Sequence, residues 1–192
     1  MSRERHADNA VLLAVTTDIA GEAVIGSIGP DDLADVRSLH ATAFRVLAGS
    51  SFTDSEVAAF TAHVYSLPYT AALSEATHRN QIFSARLSGQ LIGTAGWTAG
   101  DGNVAVARIR WVFVRPMFTG LGLGARLVHK AEAAVRSAGF DTVSVEAALT
   151  AVDFFAKHGY EVSSHGVRAL TASEGLPVAF MRKTLTTTSR AR

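Results

Sequence analysis

The residues best able to do chemistry in this chain of 192 lie between Val112 and Arg126. Val112-Phe113-Val114-Arg115-Pro116 is an apolar run closed by a proline, and Gly120, Gly122 and Gly124 follow at alternate positions. A helical pattern begins directly after them. A strand that feeds a helix through such a turn aims several unbonded N–H groups at one point, where the helix dipole also favours negative charge. The chemistry this suits is the holding of a phosphate or pyrophosphate. The spacing Gly-x-Gly-x-Gly departs from the dinucleotide fingerprint Gly-x-Gly-x-x-Gly, which also sits in an early strand–helix–strand unit. Gly124-Ala125-Arg126 does not supply the Gly-Lys-Ser/Thr ending of a nucleoside-triphosphate loop. A tight turn that binds nothing is the plain alternative.

Composition narrows the rest. The chain has no cysteine, which excludes disulfides, thiolate catalysis and cysteine-ligated zinc. Its seven histidines are scattered without metal-ligand spacing, so no metal is expected. A formal charge of +1 gives no strong pull toward nucleic acid or anionic lipid, and neither is expected as a partner. With 48% hydrophobic and 18% charged residues the chain should fold around a real core. The longest apolar run near the start, Val11 to Val15, is too short for a secretory signal, and no span approaches about 20 apolar residues. These features predict a cytoplasmic protein: a partly ordered leader over residues 1–23, one domain over 24–185 and a tail over 186–192.

The elements that must position the glycine turn can be read from periodicity. Val24 to Ile28 suits a short strand. Pro30-Asp31-Asp32 opens a helix carrying Leu33, Val36, Leu39, His40, Ala43 and Phe44 at helical spacing. Thr53 and Glu56 form a capping box for a second helix that ends before Pro68. Two helices therefore precede the sheet. Gln81–Leu87 and Gln90–Trp97 read as a hairpin about Ser88-Gly89, and Asp101-Gly102-Asn103 as another turn. Val104 to Val114 follows as a long strand, with Ile109, Trp111 and Phe113 on one face and Arg108, Arg110, Val112 and Val114 on the other. After the glycine turn, Leu127, Ala131, Ala134, Val135 and Ala138 share a helix face. A strand at Thr142–Ala147 follows, then a helix capped at Thr150 that stops at Gly159. Strands at Tyr160–Ser163 and Val178–Lys183 close the chain. The order is that of an α/β fold with a mixed sheet, the glycine turn lying at a strand's carboxyl end.

At this point the chain resembles the GNAT superfamily of N-acetyltransferases. In that family a strand ends as Val-x-Pro before Arg/Gln-x-x-Gly-x-Gly/Ala, and Val114-Arg115-Pro116 with Gly122-Leu123-Gly124 follows this pattern. A later motif reads roughly Ala-x-x-Phe-Tyr-x-x-x-Gly-Phe, and Ala151-Val152-Asp153-Phe154-Phe155-Ala156-Lys157-His158-Gly159-Tyr160 keeps its spacing. Phe180 to Leu185 resembles the family's last strand, so the resemblance spans about Val24 to Leu185.

The resemblance implies a mixed, mostly antiparallel central sheet flanked by helices, with a splayed strand pair holding CoA. It implies acetyl-CoA as acyl donor, no metal, and transfer to a primary amine of a small molecule or peptide. It leaves room for a homodimer. The pyrophosphate would rest on the N–H groups of Thr119, Gly120, Leu121, Gly122, Leu123, Gly124 and Ala125. The pantetheine arm would pair with the backbone of Val112, Phe113 and Val114, and the N–H of Val114 would polarise the thioester carbonyl. Thr119 stands where the family has Arg or Gln. Phe155 stands where many members have a tyrosine that protonates the departing thiolate, and it lines the CoA side without that ability. The asparagine often found before the last helix is missing from Ala147-Ala148-Leu149-Thr150. A non-catalytic acyl-CoA sensor of the same fold is the competing reading.

An attacking amine must be neutral, so a base is required. Glu146, at the end of the strand after the glycine-turn helix, is the first candidate, with a solvated strand-end carboxylate as the alternative. His40 reads as a buried, satisfied core histidine, Tyr65 and Tyr69 as packing residues, His129 as a surface residue, and Trp97 and Trp111 as core. Arg108 and Arg110 either face the acceptor cleft and favour an acidic acceptor, or line a solvated sheet face.

Overall fold

The computed structural model describes residues 21–100, 106–171 and 173–185. The leader and tail, and the turn expected at Asp101-Gly102-Asn103, lie outside the described residues or nearly so. Strand β1 (Val24–Ser27) leads into a 3-10 turn at Pro30–Asp32 and helix α1 (Leu33–Leu47). Helices α2 (Asp54–Val64) and α3 (Leu67–His78) follow, then strands β2 (Ile82–Leu87), β3 (Gln90–Ala99) and β4 (Val106–Val114). Helix α4 (Leu123–Ser137), strand β5 (Thr142–Ala148), helix α5 (Val152–Lys157), and strands β6 (Glu161–Ala169) and β7 (Gly175–Thr184) complete the order. The strands form one sheet in the order β1-β2-β3-β4-β5-β7-β6. Only β4 and β5 run parallel; every other pair is antiparallel.

Each face of the sheet buries its own apolar cluster. Leu127, Val128, Ala131 and Val135 of α4 pack with Phe83, Ile92, Ile109, Val143 and Val145 on one side. Val36, Leu39, Phe44, Phe60, Val64 and Leu73 of α1 to α3 pack with Ile82, Leu91, Trp111 and Val178 on the other. Neighbouring residues such as Ile82 and Phe83 thus serve opposite layers, as the strand period requires.

Several sequence expectations need correction. Three α-helices, not two, lie between β1 and the hairpin. The chain breaks at Tyr65-Ser66, and the Ser66 hydroxyl accepts the N–H of Tyr69 at 3.3 Å to open α3. Pro68 therefore starts a helix rather than ending one, because proline is as well tolerated in a first turn as it is disruptive further in. The box at Thr53 forms as expected, with Thr53 N–H on Glu56 at 2.7 Å and Glu56 N–H on Thr53 at 3.2 Å. Thr150 caps nothing: it lies in a 3-10 turn, and α5 begins after Ala151 without a side-chain cap. Ala138 is exposed, and the buried stripe of α4 instead includes Glu132. The last two strands are longer than Tyr160–Ser163 and Val178–Lys183, since β6 is an exposed edge strand whose polar run hides its extent.

The largest correction concerns β4. Thr94 and Gly96 of β3 face Phe113 and Arg110 of β4, so two steps on one strand meet three on the other. The extra residue is a bulge, and Trp111 adopts φ +54° within it. Past the bulge the alternation reverses. Ile109 belongs to the α4 layer, whereas Trp111 and Phe113 join the α1–α3 layer, and Val112 and Val114 turn toward α4. The expected face sharing Ile109, Trp111 and Phe113 does not exist.

Candidate active site

Strands β4 and β5 pair only from Val106 with Thr142 to Ile109 with Val145. Beyond that point β4 stays with β3 and β5 stays with β7, so the sheet forks. Arg110 and Glu146 are the first residues past the last pair. A cavity of about 180 Å³ fills the fork, lined by Arg108 to Val114, Val145 to Ala148, Thr150, Phe155, Arg168 and the inner faces of α1 and α2.

The hydrogen-bond pattern assigns a direction to each amide of β4. The N–H of Arg115 bonds the carbonyl of Ile92 at 2.8 Å, which makes the facing pair Val114 and Gly93 a non-hydrogen-bonded one. The N–H of Val114 therefore points away from β3 and into the fork. Alternation gives Val112 the same direction and turns the N–H of Phe113 to Thr94. Phe113 lines the cavity as well.

Helix α4 begins beside this edge: a Cβ added at Gly124 would lie 3.9 Å from the Val114 side chain. Arg126 is the first residue of α4 whose N–H bonds back, to Gly122 at 3.1 Å, which leaves the first-turn amides of Leu123, Gly124 and Ala125 directed outward. Gly122, the N-cap, has φ +79°, and a Cβ there would meet nothing within 4 Å. Gly124 has a different role, since its Cβ would press on the Phe154 ring at 3.2 Å. Gly120 and Leu121 lie just ahead of this turn. Thr119 turns both its N–H and its hydroxyl onto the Pro116 carbonyl, at 3.2 and 2.8 Å. The donors open to an anion thus start after Thr119.

A buried polar chain braces the bulge. The Thr94 hydroxyl lies 2.7 Å from the Trp111 carbonyl and 2.7 Å from Nε2 of His40, while Nδ1 of His40 lies 2.8 Å from the Tyr69 hydroxyl. A carbonyl only accepts, so Thr94 donates to it, Nε2–H donates to Thr94, and Tyr69 donates to the bare Nδ1. His40 is thus a neutral histidine with both nitrogens satisfied. Complete burial pushes its pKa down to about 3, and burial likewise raises that of Tyr69. Phe113 stacks on the His40 ring at 4.4 Å.

Charge gathers at the base of the fork. Glu146 lies 3.3 Å from Arg108 and 3.6 Å from Arg168, a residue of β6 that also reaches His63 of α2 at 3.3 Å. Burial, together with Arg168 and Arg110, lowers the pKa of His63. Arg110 lies over the Trp111 ring at 4.8 Å. The structure thus brings together Glu146, Val112, Phe113, Val114 and Phe155 around one cavity, with the turn from Gly120 to Ala125 at its edge. Phe155 is buried at 4% exposure and offers only an apolar wall. His129 is exposed, Tyr69 is buried, and Trp97 and Trp111 are core residues, as expected, whereas Tyr65, expected to pack, is exposed at the break between α2 and α3. Arg168, His63 and Thr94 were not legible as site residues: each reaches the fork through pairing or bulging that no local pattern announces. Among the described residues no group of three metal-ligating side chains occurs, and no helix is long and apolar enough to cross a membrane.

No curated protein matches the chain. A GCN5-related N-acetyltransferase structure from Rhodopseudomonas palustris superposes with TM-score 0.72 at 21% identity, over 85% of this chain and 96% of that one. The PaiA N-acetyltransferase of Thermoplasma acidophilum, in complex with coenzyme A, gives 0.67 at 15% identity over 84% and 98%. YncA from Salmonella typhimurium, solved with acetyl-CoA, gives 0.61 at 15% over 88% and 98%. These likenesses concern the fold. The family model of the GNAT acetyltransferase domain matches residues 49–185, and the chain belongs to that family of acyltransferases.

Proposed function

We propose that the chain transfers an acetyl group from acetyl-CoA to a primary amine by direct attack on the thioester. The observation that carries this reading is the fork: the Val114 amide points into a cavity whose edge is the N-terminus of α4. The pyrophosphate would rest on the amides from Gly120 to Ala125, and the pantetheine amides would pair with Val112 and Val114. The Val114 N–H would then donate to the thioester carbonyl and to the oxyanion that forms from it. The amine nitrogen attacks the carbonyl carbon, the C–S bond breaks and CoA leaves as a thiolate. Phe155 carries no proton to give, so water protonates that thiolate. Glu146, facing the cavity from β5, receives the proton that the acceptor ammonium must lose. The coenzyme-bound neighbours from Thermoplasma and Salmonella support the choice of donor.

The test is thiol release from acetyl-CoA in the presence of a panel of primary amines. Amine-dependent release supports the transferase. Tight acetyl-CoA binding with no turnover on any amine would overturn it in favour of a sensor, the reading that the missing proton donor at Phe155 favours.

A further inference from the structure

Among the described residues four charged side chains line the cavity: Arg108, Arg110, Glu146 and Arg168. Glu146 is the one carboxylate among them, and Arg108 and Arg168 flank it. The Arg110 side chain has neither a hydrogen bond nor an ion pair among the described residues; its guanidinium lies over the Trp111 ring. It is nonetheless half-buried, at the crotch of the fork and one residue past the last β4–β5 pair. A guanidinium does not shed its charge, and holding one out of water without an anion is unfavourable. Its surroundings do not relieve it: burial and the charge of Arg168 push the pKa of Arg110 down, against a smaller opposing pull from Glu146.

We propose that the acceptor is a small amine with its own anionic group, a carboxylate or phosphate, which Arg110 binds beside Arg168. This rests on the transferase reading above. The fork then presents complementary charges to a zwitterion: Glu146 toward the ammonium, and Arg110 toward the anionic end. A guanidinium fork matches either oxyanion. The cavity of about 180 Å³, shared with the acetyl end of the donor, suits a short molecule of this kind.

The test uses matched acceptors: β-alanine against β-alaninamide, 4-aminobutyrate against its amide, and O-phosphoethanolamine against ethanolamine. Each is assayed by thiol release with wild type, Arg110→Met and, as a control for overall charge, Arg136→Met on the exposed side of α4. Charge-assisted hydrogen bonds of this kind give the anionic member about a ten- to hundredfold higher kcat/KM. Arg110→Met should bring that ratio close to one, and Arg136→Met should leave it. The carboxylate and phosphate pairs separate the two oxyanions. A wild-type ratio near one, or a ratio that survives Arg110→Met, overturns the proposal. Should none of these amines turn over, the same compounds are titrated into CoA-saturated protein. Tighter binding of the anionic member, lost in Arg110→Met, supports the proposal, and equal binding overturns it. Failure of CoA itself to bind is a different result: it removes the transferase reading and this proposal with it.

Discussion

Gly122→Val separates the binding role of the glycine turn from its folding role. In the free protein the new side chain meets no heavy atom within 4 Å of its Cβ, so no packing clash opposes it. Its cost comes from the backbone, which sits at φ +79°, a region that costs an L-residue roughly 1–3 kcal/mol. For a domain of this size that corresponds to a fall in Tm of about 2–4 °C for each kcal/mol. The open space that spares the fold is also where the pyrophosphate would lie. Displacing it from two first-turn amides removes two charge-assisted hydrogen bonds at about 1.5–3 kcal/mol each. The CoA Kd should therefore rise more than about a hundredfold. Gly124→Val should show the opposite balance. Its Cβ would press on the Phe154 ring at 3.2 and 3.3 Å, so over-packing costs about 1–3 kcal/mol of stability while the amides stay open. Thermal unfolding with and without CoA, combined with calorimetric titration of CoA, reads both quantities. A folded Gly122→Val protein that binds CoA within threefold of wild type would falsify the assignment of the turn.

Other expectations follow from the same contacts. Thr94→Val leaves the Nε2–H of His40 and the Trp111 carbonyl without partners, so denaturant unfolding should report a loss of about 2–5 kcal/mol; a loss below about 1 kcal/mol would remove the chain of bonds as the brace of the bulge. The fold holds His40 neutral, with its pKa pushed down to about 3, whereas the unfolded chain takes up a proton near pH 6.5. Stability is therefore complete above pH 6.5 and is lost as pH falls below it, by about 2 kcal/mol at pH 5. His40→Gln should lack this component, and equal slopes of stability against pH in the two proteins would contradict it. Lys183→Met strands the Glu132 carboxylate, 3% exposed, with only the Tyr160 hydroxyl for company. It should cost about 3–5 kcal/mol, and the double change Glu132→Leu with Lys183→Met should cost less than the sum of the two singles. Glu146→Gln should slow acetyl transfer and flatten its pH profile; an unchanged profile would remove Glu146 as the proton acceptor.

The parts of the site that lie in one stretch of chain were legible from the residues alone. The strand end, the glycine turn and the helix after it form a local motif, and so does the segment from Ala151 to Tyr160. His40 was legible as a satisfied core residue because its helical spacing put it on the buried face. Of the charged floor of the cleft, Glu146 and Arg108 were legible as candidates and Arg168 was not. Arg168 stands in an edge strand whose Ser163, Ser164, His165 and Gly166 show no apolar alternation, and it reaches Glu146 only because β6 pairs with β7. Arg110 was legible as a residue of β4 on the face opposite Ile109, with the acceptor cleft as one of its two readings, and it lines the cavity. The faces of Trp111 to Val114 depend on a bulge that begins at the next residue, and the bulge depends on contacts with β3 and α1 that are distant in sequence.

That bulge ties the core to the chemistry. Without it, strict alternation would keep Trp111 and Phe113 on the α4 face with Ile109 and would turn Val112 and Val114 toward α1. One additional residue reverses this: Arg110 and Trp111 stand together on the acceptor side, and the Val114 side chain meets the first turn of α4. Such a conformation at Trp111 is unfavourable for a bulky residue, and local forces do not account for it. Thr94 captures the Trp111 carbonyl, His40 holds Thr94, and Tyr69 holds His40. The helices packed on one face of the sheet thereby maintain the backbone geometry from which the Val114 amide is aimed. Loosening this chain should accordingly raise the KM for acetyl-CoA even though none of its side chains need touch the donor. Thr94→Val assayed at a temperature where it remains folded reads this directly: an unchanged KM would mean that the fork holds its shape without the brace.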